Sequence, residues 1–112
     1  MHVISKKRIT DFCKVNRRKD AQAARAAFLA WYTEAKTARW TKWADIKARY
    51  RSADKLSNGR VVFNICGNNY RIVTRLKFST EASGSRKASE GRVWIRFIGT
   101  HKEYDKINAE EV

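Results

Sequence analysis

The sequence predicts an α+β domain in which helices lie against one face of a small antiparallel sheet. Two observations carry this reading. Helical spacing of apolar residues dominates the first half, and strict two-residue alternation takes over after Arg60. Helices and strands thus come in separate blocks, the arrangement of a sheet covered on one side.

The elements follow in order. His2-Val3-Ile4-Ser5 reads as a short opening strand. Lys6 to Val15 is helical, with Ile9, Phe12 and Cys13 on one face. Asn16-Arg17-Arg18-Lys19 is a turn with a cationic tip, and Asp20 is a suitable N-cap for the next helix. That helix, Asp20 to about Ala38, is alanine-rich and repeats Ala24, Phe28, Trp31 and Ala35 on one side. Trp31 at this spacing reads as core rather than as a base-stacking platform. Trp40 to Tyr50 forms a further aromatic stretch, with Trp43, Ile46 and Tyr50 on one helical face.

Ser57-Asn58-Gly59 signals a turn. Val61 to Ile65 is β-branched and aromatic, Cys66-Gly67-Asn68-Asn69 is a tight turn, and Tyr70 to Phe78 alternates. Tyr70, Ile72, Thr74, Leu76 and Phe78 form one row, and Arg71, Val73, Arg75 and Lys77 the other. Ser79 to Gly91 reads as a long, flexible hairpin connection. Arg92 to Ile98 alternates again, with Val93, Ile95 and Phe97 on one side and Arg92, Trp94, Arg96 and Ile98 on the other. Thr100-His101-Lys102-Glu103 is a capping box that starts a short last helix. Glu110, Glu111 and Val112 are expected to fray.

The 112 residues fit one domain, 1–112. No apolar run is long enough for a membrane span, and Met1 to Thr10 lacks the apolar core of a secretory signal. The two cysteines, Cys13 and Cys66, are far apart and have no metal-ligand spacing; they read as reduced residues of a cytoplasmic protein. No metal or cofactor is expected. The acidic residues form no paired motif of a two-carboxylate hydrolase.

Charge points to a polyanionic partner. Net charge is +14. Residues 1–60 hold 16 basic against 5 acidic side chains, a net +11, and residues 61–112 hold 9 against 6, a net +3. Such an excess suits nucleic acid. The chemistry is sought in the second half. Arg71, Arg75 and Lys77 project from one face of a strand, a phosphate-binding arrangement that also occurs on solvated outer faces. Arg96 lies near the end of the next strand, His101 at the strand-to-helix turn, and Tyr104 one helical turn beyond His101. RNA is cut when its 2′-OH attacks the adjacent phosphate. That reaction needs a proton acceptor, a proton donor for the 5′ oxygen, and cations on the developing charge. His101 suits either proton role. Tyr104 serves as base only where cations lower its pKa. Arg71 and Arg96 suit the phosphate through their planar forks. His2 reads as a strand-surface residue.

Four segments, MHVISKKRITDF, WADIKARY, RVVFNICGNNYRIV and VWIRFIGTHKEYDKI, resemble the HigB toxins of bacterial toxin–antitoxin pairs. The most specific parts are Val62-Phe63-Asn64, Gly67-Asn68, Tyr70-Arg71, Gly99-Thr100-His101 and Glu103-Tyr104-Asp105. The resemblance implies a RelE-superfamily fold, a sheet with two N-terminal helices on it. It implies mRNA cleavage, generally on the translating ribosome and hence beside ribosomal RNA. It also implies a HigA-like helix-turn-helix antitoxin through which operator DNA is contacted. Carried over, the site centres on Arg71, Arg96, His101 and Tyr104, with Lys102 and Lys77 behind them. Lys6, Lys7, Arg8, Arg17, Arg18 and Lys19 would dock on ribosomal RNA. The alternatives from other classes are a ParE-like gyrase poison and a non-enzymatic nucleic-acid-binding module. Ser79–Gly91 is longer than the family leads one to expect.

Overall fold

A computed structural model describes residues 1–112. Strand β1 (His2–Ile4) leads into helix α1 (Lys6–Val15), followed by α2 (Ala21–Thr37) and α3 (Trp43–Arg49). Strands β2 (Asp54–Lys55), β3 (Arg60–Ile65), β4 (Tyr70–Lys77) and β5 (Arg92–Thr100) follow, and α4 (His101–Tyr104) comes last. The strands form one sheet in the order β1-β5-β4-β3-β2.

The α+β class and the block order agree with the sequence reading. The sheet itself is mixed rather than antiparallel throughout, because β1 pairs parallel with β5 through His2–Arg92, Val3–Val93 and Ile4–Trp94. Alternation marks a strand but does not say which neighbour it takes.

The main core lies between the helices and one sheet face. Ile9, Ala24, Phe28, Trp31, Ala35 and Ile46 meet Val61, Phe63, Ile65, Tyr70, Ile72, Val93 and Ile95 there. Trp31 is core, its ring edge-on to Phe63 at 5.3 Å. Trp40 falls outside α3 and instead stacks beside Phe63 at 5.9 Å. The opposite face carries a smaller cluster of Val62, Val73 and Ala109, with Phe97, Tyr104, Ile107 and Val112 against it.

Three local expectations change in the structure. Asp20 makes no side-chain cap for α2; its carboxylate accepts from the Tyr70 hydroxyl at 2.7 Å and from Asn69 Nδ2 at 3.1 Å. In β5 the alternation breaks, because Val73 pairs with Phe97 while Thr74 pairs with Ile95. Arg96 is the extra residue of a β-bulge, and one added residue reverses every side chain beyond it. Phe97 therefore joins the outer cluster and Ile98 the main core, the reverse of the sequence reading. The last residues are tied down rather than frayed: the Val112 carbonyl accepts from Arg60 Nη2 at 2.6 Å and from Arg96 Nε at 3.2 Å, and Ser57 donates to Glu110.

The 79–91 connection is a hairpin closed by bridges at Thr80–Ser89 and Ser83–Arg86. Its base is anchored by the buried Ser79, which donates to the Glu90 carbonyl at 2.6 Å. Cys13 and Cys66 are free, half-buried thiols.

Candidate functional site

The site forms where β4 begins and β5 ends. Tyr70 pairs with Thr100 and Arg71 with Gly99, so the β3–β4 turn lies beside the start of α4. Cys66 and Gly67 take positive φ, 56° and 66°, which folds the turn back tightly. The Asn69 carbonyl accepts from the His101 backbone N–H at 3.0 Å, joining turn and helix. The capping box at Thr100 and Glu103 fixes the direction of α4.

Arg71 is buried, with 6% exposure. Its Nη1 donates to the carbonyls of Asn68 (2.9 Å) and Tyr70 (3.1 Å), and its Nη2 to Asn68 Oδ1 (2.7 Å). The same Nη2 lies 2.7 Å from His101 Nδ1. Its guanidinium carbon is 5.7 Å from the centre of the Tyr104 ring. The structure thus brings Arg71, His101 and Tyr104 together. The His101 side chain is half-exposed, and its Nε2 faces Asp105 Oδ2 at 3.5 Å.

The Tyr104 phenol is pushed above its usual value by burial and by the negative charge of Asp54, against the opposing charge of Arg71. It therefore holds its proton at neutral pH. The lowered value that a basic role requires is not what this environment produces.

Arg96 is placed elsewhere. It makes no hydrogen bond to Arg71, His101 or Tyr104; its Nε engages Val112, and its own carbonyl accepts from Arg8 Nη1 at 3.1 Å. It belongs to a second basic group on the outer sheet face. Arg60 sits opposite Arg75 across β3 and β4, and burial, with the charges of Arg96 and Arg75, lowers its pKa. Arg75 lies over Trp94 at 5.7 Å. These two, with Arg60 and Lys77, line an open cleft of about 660 Å³. Lys77 and Lys102 are exposed.

The basic residues of the first half divide in two. Lys6 lies over the Tyr32 ring, and Lys7 pairs with Asp11 at 2.5 Å. Arg17, Arg18 and Lys19 are exposed in the α1–α2 turn. That turn reaches the same sheet end as His101, because Asn16 and Asp20 both bond the Tyr70 hydroxyl and Arg18 lies over the Tyr70 ring at 5.7 Å.

Two residues absent from the sequence-derived site belong to this geometry. Asn68 supplies two of the acceptors around Arg71, and only its place in a turn next to Tyr-Arg hinted at that. Asp105 faces His101 from four residues along, a spacing visible in the sequence. No three His, Cys, Asp or Glu side chains come together to hold a metal ion, and no helix is long and apolar enough to cross a membrane.

A family model described as the HigB toxin, a RelE-like toxic component of a toxin–antitoxin system, matches residues 24–107. The match spans Arg71, Arg96, His101 and Tyr104, whereas Lys6 to Lys19 lie outside it. No curated protein matches the chain.

Proposed function

The chain belongs to the HigB family of RelE-like toxins of toxin–antitoxin systems, and on that premise we propose that it is an endoribonuclease cleaving mRNA on the translating ribosome. The observation that supports this reading is the junction of Arg71, His101 and Tyr104 at one end of the sheet. There a half-exposed imidazole and a protonated phenol both meet the buried Arg71 guanidinium.

In this reading the RNA 2′ oxygen attacks the adjacent phosphorus, the bond to the 5′ oxygen breaks, and a 2′,3′-cyclic phosphate is left. The reaction draws on RNA's own nucleophile and needs no metal. Tyr104, which keeps its proton, delivers it to the departing 5′ oxygen. The Asp105 carboxylate beside His101 is the acceptor at hand for the 2′ proton. Lys102, exposed at the start of α4, is the cation for the phosphate, and Arg17, Arg18 and Lys19 face ribosomal RNA. The antitoxin partner is a HigA-like helix-turn-helix protein, through which the pair reaches operator DNA. The protein acts in the cytoplasm.

Primer extension on cellular mRNA after induction tests the reading. Discrete 5′ ends inside coding regions are the expected result. Intact transcripts together with DNA damage would overturn it in favour of a ParE-like gyrase poison.

A further inference from the structure

We propose that Arg71 is a positioning residue that locks His101 in its Nε2–H tautomer, and that it does not touch the RNA phosphate. The inference rests on the ribonuclease reading for its catalytic consequence, and on hydrogen-bond geometry for the rest.

A guanidinium has only donors and is charged at any working pH. His101 Nδ1, 2.7 Å from Arg71 Nη2, must therefore be the acceptor. The neutral ring then carries its hydrogen on Nε2, the nitrogen that points toward Asp105 and the half-exposed side. With Nδ1 occupied and Nε2 protonated, the neutral imidazole has no free lone pair. His101 meets RNA as a hydrogen-bond donor, able to stabilise developing charge on a phosphate oxygen.

Arg71 itself has little left to offer a ligand. Four hydrogen bonds, to Asn68 (two), Tyr70 and His101, occupy both terminal nitrogens. The side chain is buried beneath α4, with the Tyr104 ring near its carbon. A bidentate grip on phosphate would require breaking these bonds. Asn68 completes the device, because its carbonyl and side-chain oxygens hold both arms of the fork. Second-layer partners that set a histidine's tautomer act in this way at many sites.

Nitrogen chemical shifts of the full-length protein, labelled at histidine and carrying His2→Gln so that one imidazole reports, read the tautomer directly. The Nε2–H form is expected in the neutral ring, becoming a mixture in Arg71→Met. Binding of a 2′-O-methyl oligoribonucleotide, which cannot be cleaved, is measured against salt. Loss of one phosphate contact lowers the logarithmic slope by about 0.7, and Arg71→Met is expected to leave it unchanged. In ribosome-programmed cleavage, Arg71→Met and Asn68→Ala lower kcat by roughly ten- to a hundred-fold with KM unmoved. A neutral His101 protonated on Nδ1, or a slope reduced by about 0.7 in Arg71→Met, overturns the proposal. If Arg71→Met does not fold, the shifts of the otherwise unaltered protein and the Asn68→Ala kinetics decide. A protein that shows the locked tautomer yet cuts no mRNA would refute the ribonuclease reading alone.

Discussion

Arg71 and His101, thirty positions apart in the chain, meet at 2.7 Å between a guanidinium nitrogen and Nδ1. The contact exists because β4 and β5 pair in register, Arg71 opposite Gly99, and the chain turns into α4 immediately after Thr100.

His101→Ala is expected to relieve growth arrest on induction while antitoxin binding and fold persist. Loss of a proton-handling or charge-stabilising side chain should lower cleavage by roughly a hundred-fold or more. Tyr104→Phe keeps the ring against Val62 and Val73 and should show a similar loss with little change in Tm. Undiminished toxicity in the His101→Ala, Arg71→Ala double variant would remove this cluster as the site.

Glu34 accepts from both the Tyr50 hydroxyl and Arg49. The Tyr50 hydrogen bond, then Arg49, hold its carboxyl below the usual range. Tyr50→Phe should cost about 1 kcal/mol at neutral pH, a charged hydrogen bond discounted for partial exposure. A depressed carboxyl contributes stability above its unfolded value and loses it as pH falls through the folded one. The gap between the two proteins in urea melts should therefore close below about pH 4.

Gly91 and Gly67 both have positive φ, 77° and 66°, but different surroundings. A methyl group on Gly91 would sit 2.6 Å from the Lys77 carbonyl oxygen and 2.7 Å from the Ser79 nitrogen, both backbone. Around Gly67 nothing lies within 4 Å. Gly67→Ala should cost about 1 kcal/mol for the left-handed conformation alone, and Gly91→Ala about 3 kcal/mol with the clash added. Equal melting temperatures for the two variants would contradict this geometry.

Deleting residues 107–112 removes Ile107, Ala109 and Val112 from the outer cluster and releases Arg60 and Arg96 from the Val112 carbonyl. Lower stability is expected. Freed arginines should also steepen the salt dependence of single-stranded RNA binding, by about 1.4 in logarithmic slope if both engage phosphate. An unchanged slope would show that neither reaches the RNA.

Part of the candidate site's geometry was legible before the structure. The Thr-x-x-Glu box announced α4, and helical spacing placed His101 and Tyr104 on one side of it. Arg71 was visible as a cation on a strand and read as a phosphate fork; its burial and the four hydrogen bonds to its terminal nitrogens were not visible there. Arg96 was grouped with the cluster from its place near the end of a strand just ahead of His101; in the structure it is the bulged residue and its Nε engages Val112 instead. Asp20 had the residue type of an N-cap, yet Tyr70 and Asn69 take its carboxylate.

Composition determined the concentration of charge, and local periodicity determined the helical first half, the alternating strands and the α+β class, since repeats of about 3.6 and 2 residues are written between near neighbours. The tertiary structure alone decided that β1 joins β5 in parallel, that the strand bulges at Arg96, that the last residues cover the outer face, and which acceptors surround Arg71. Those outcomes depend on which distant groups compete for the same hydrogen bonds and the same buried surface, and nothing in the spacing of neighbours records that competition.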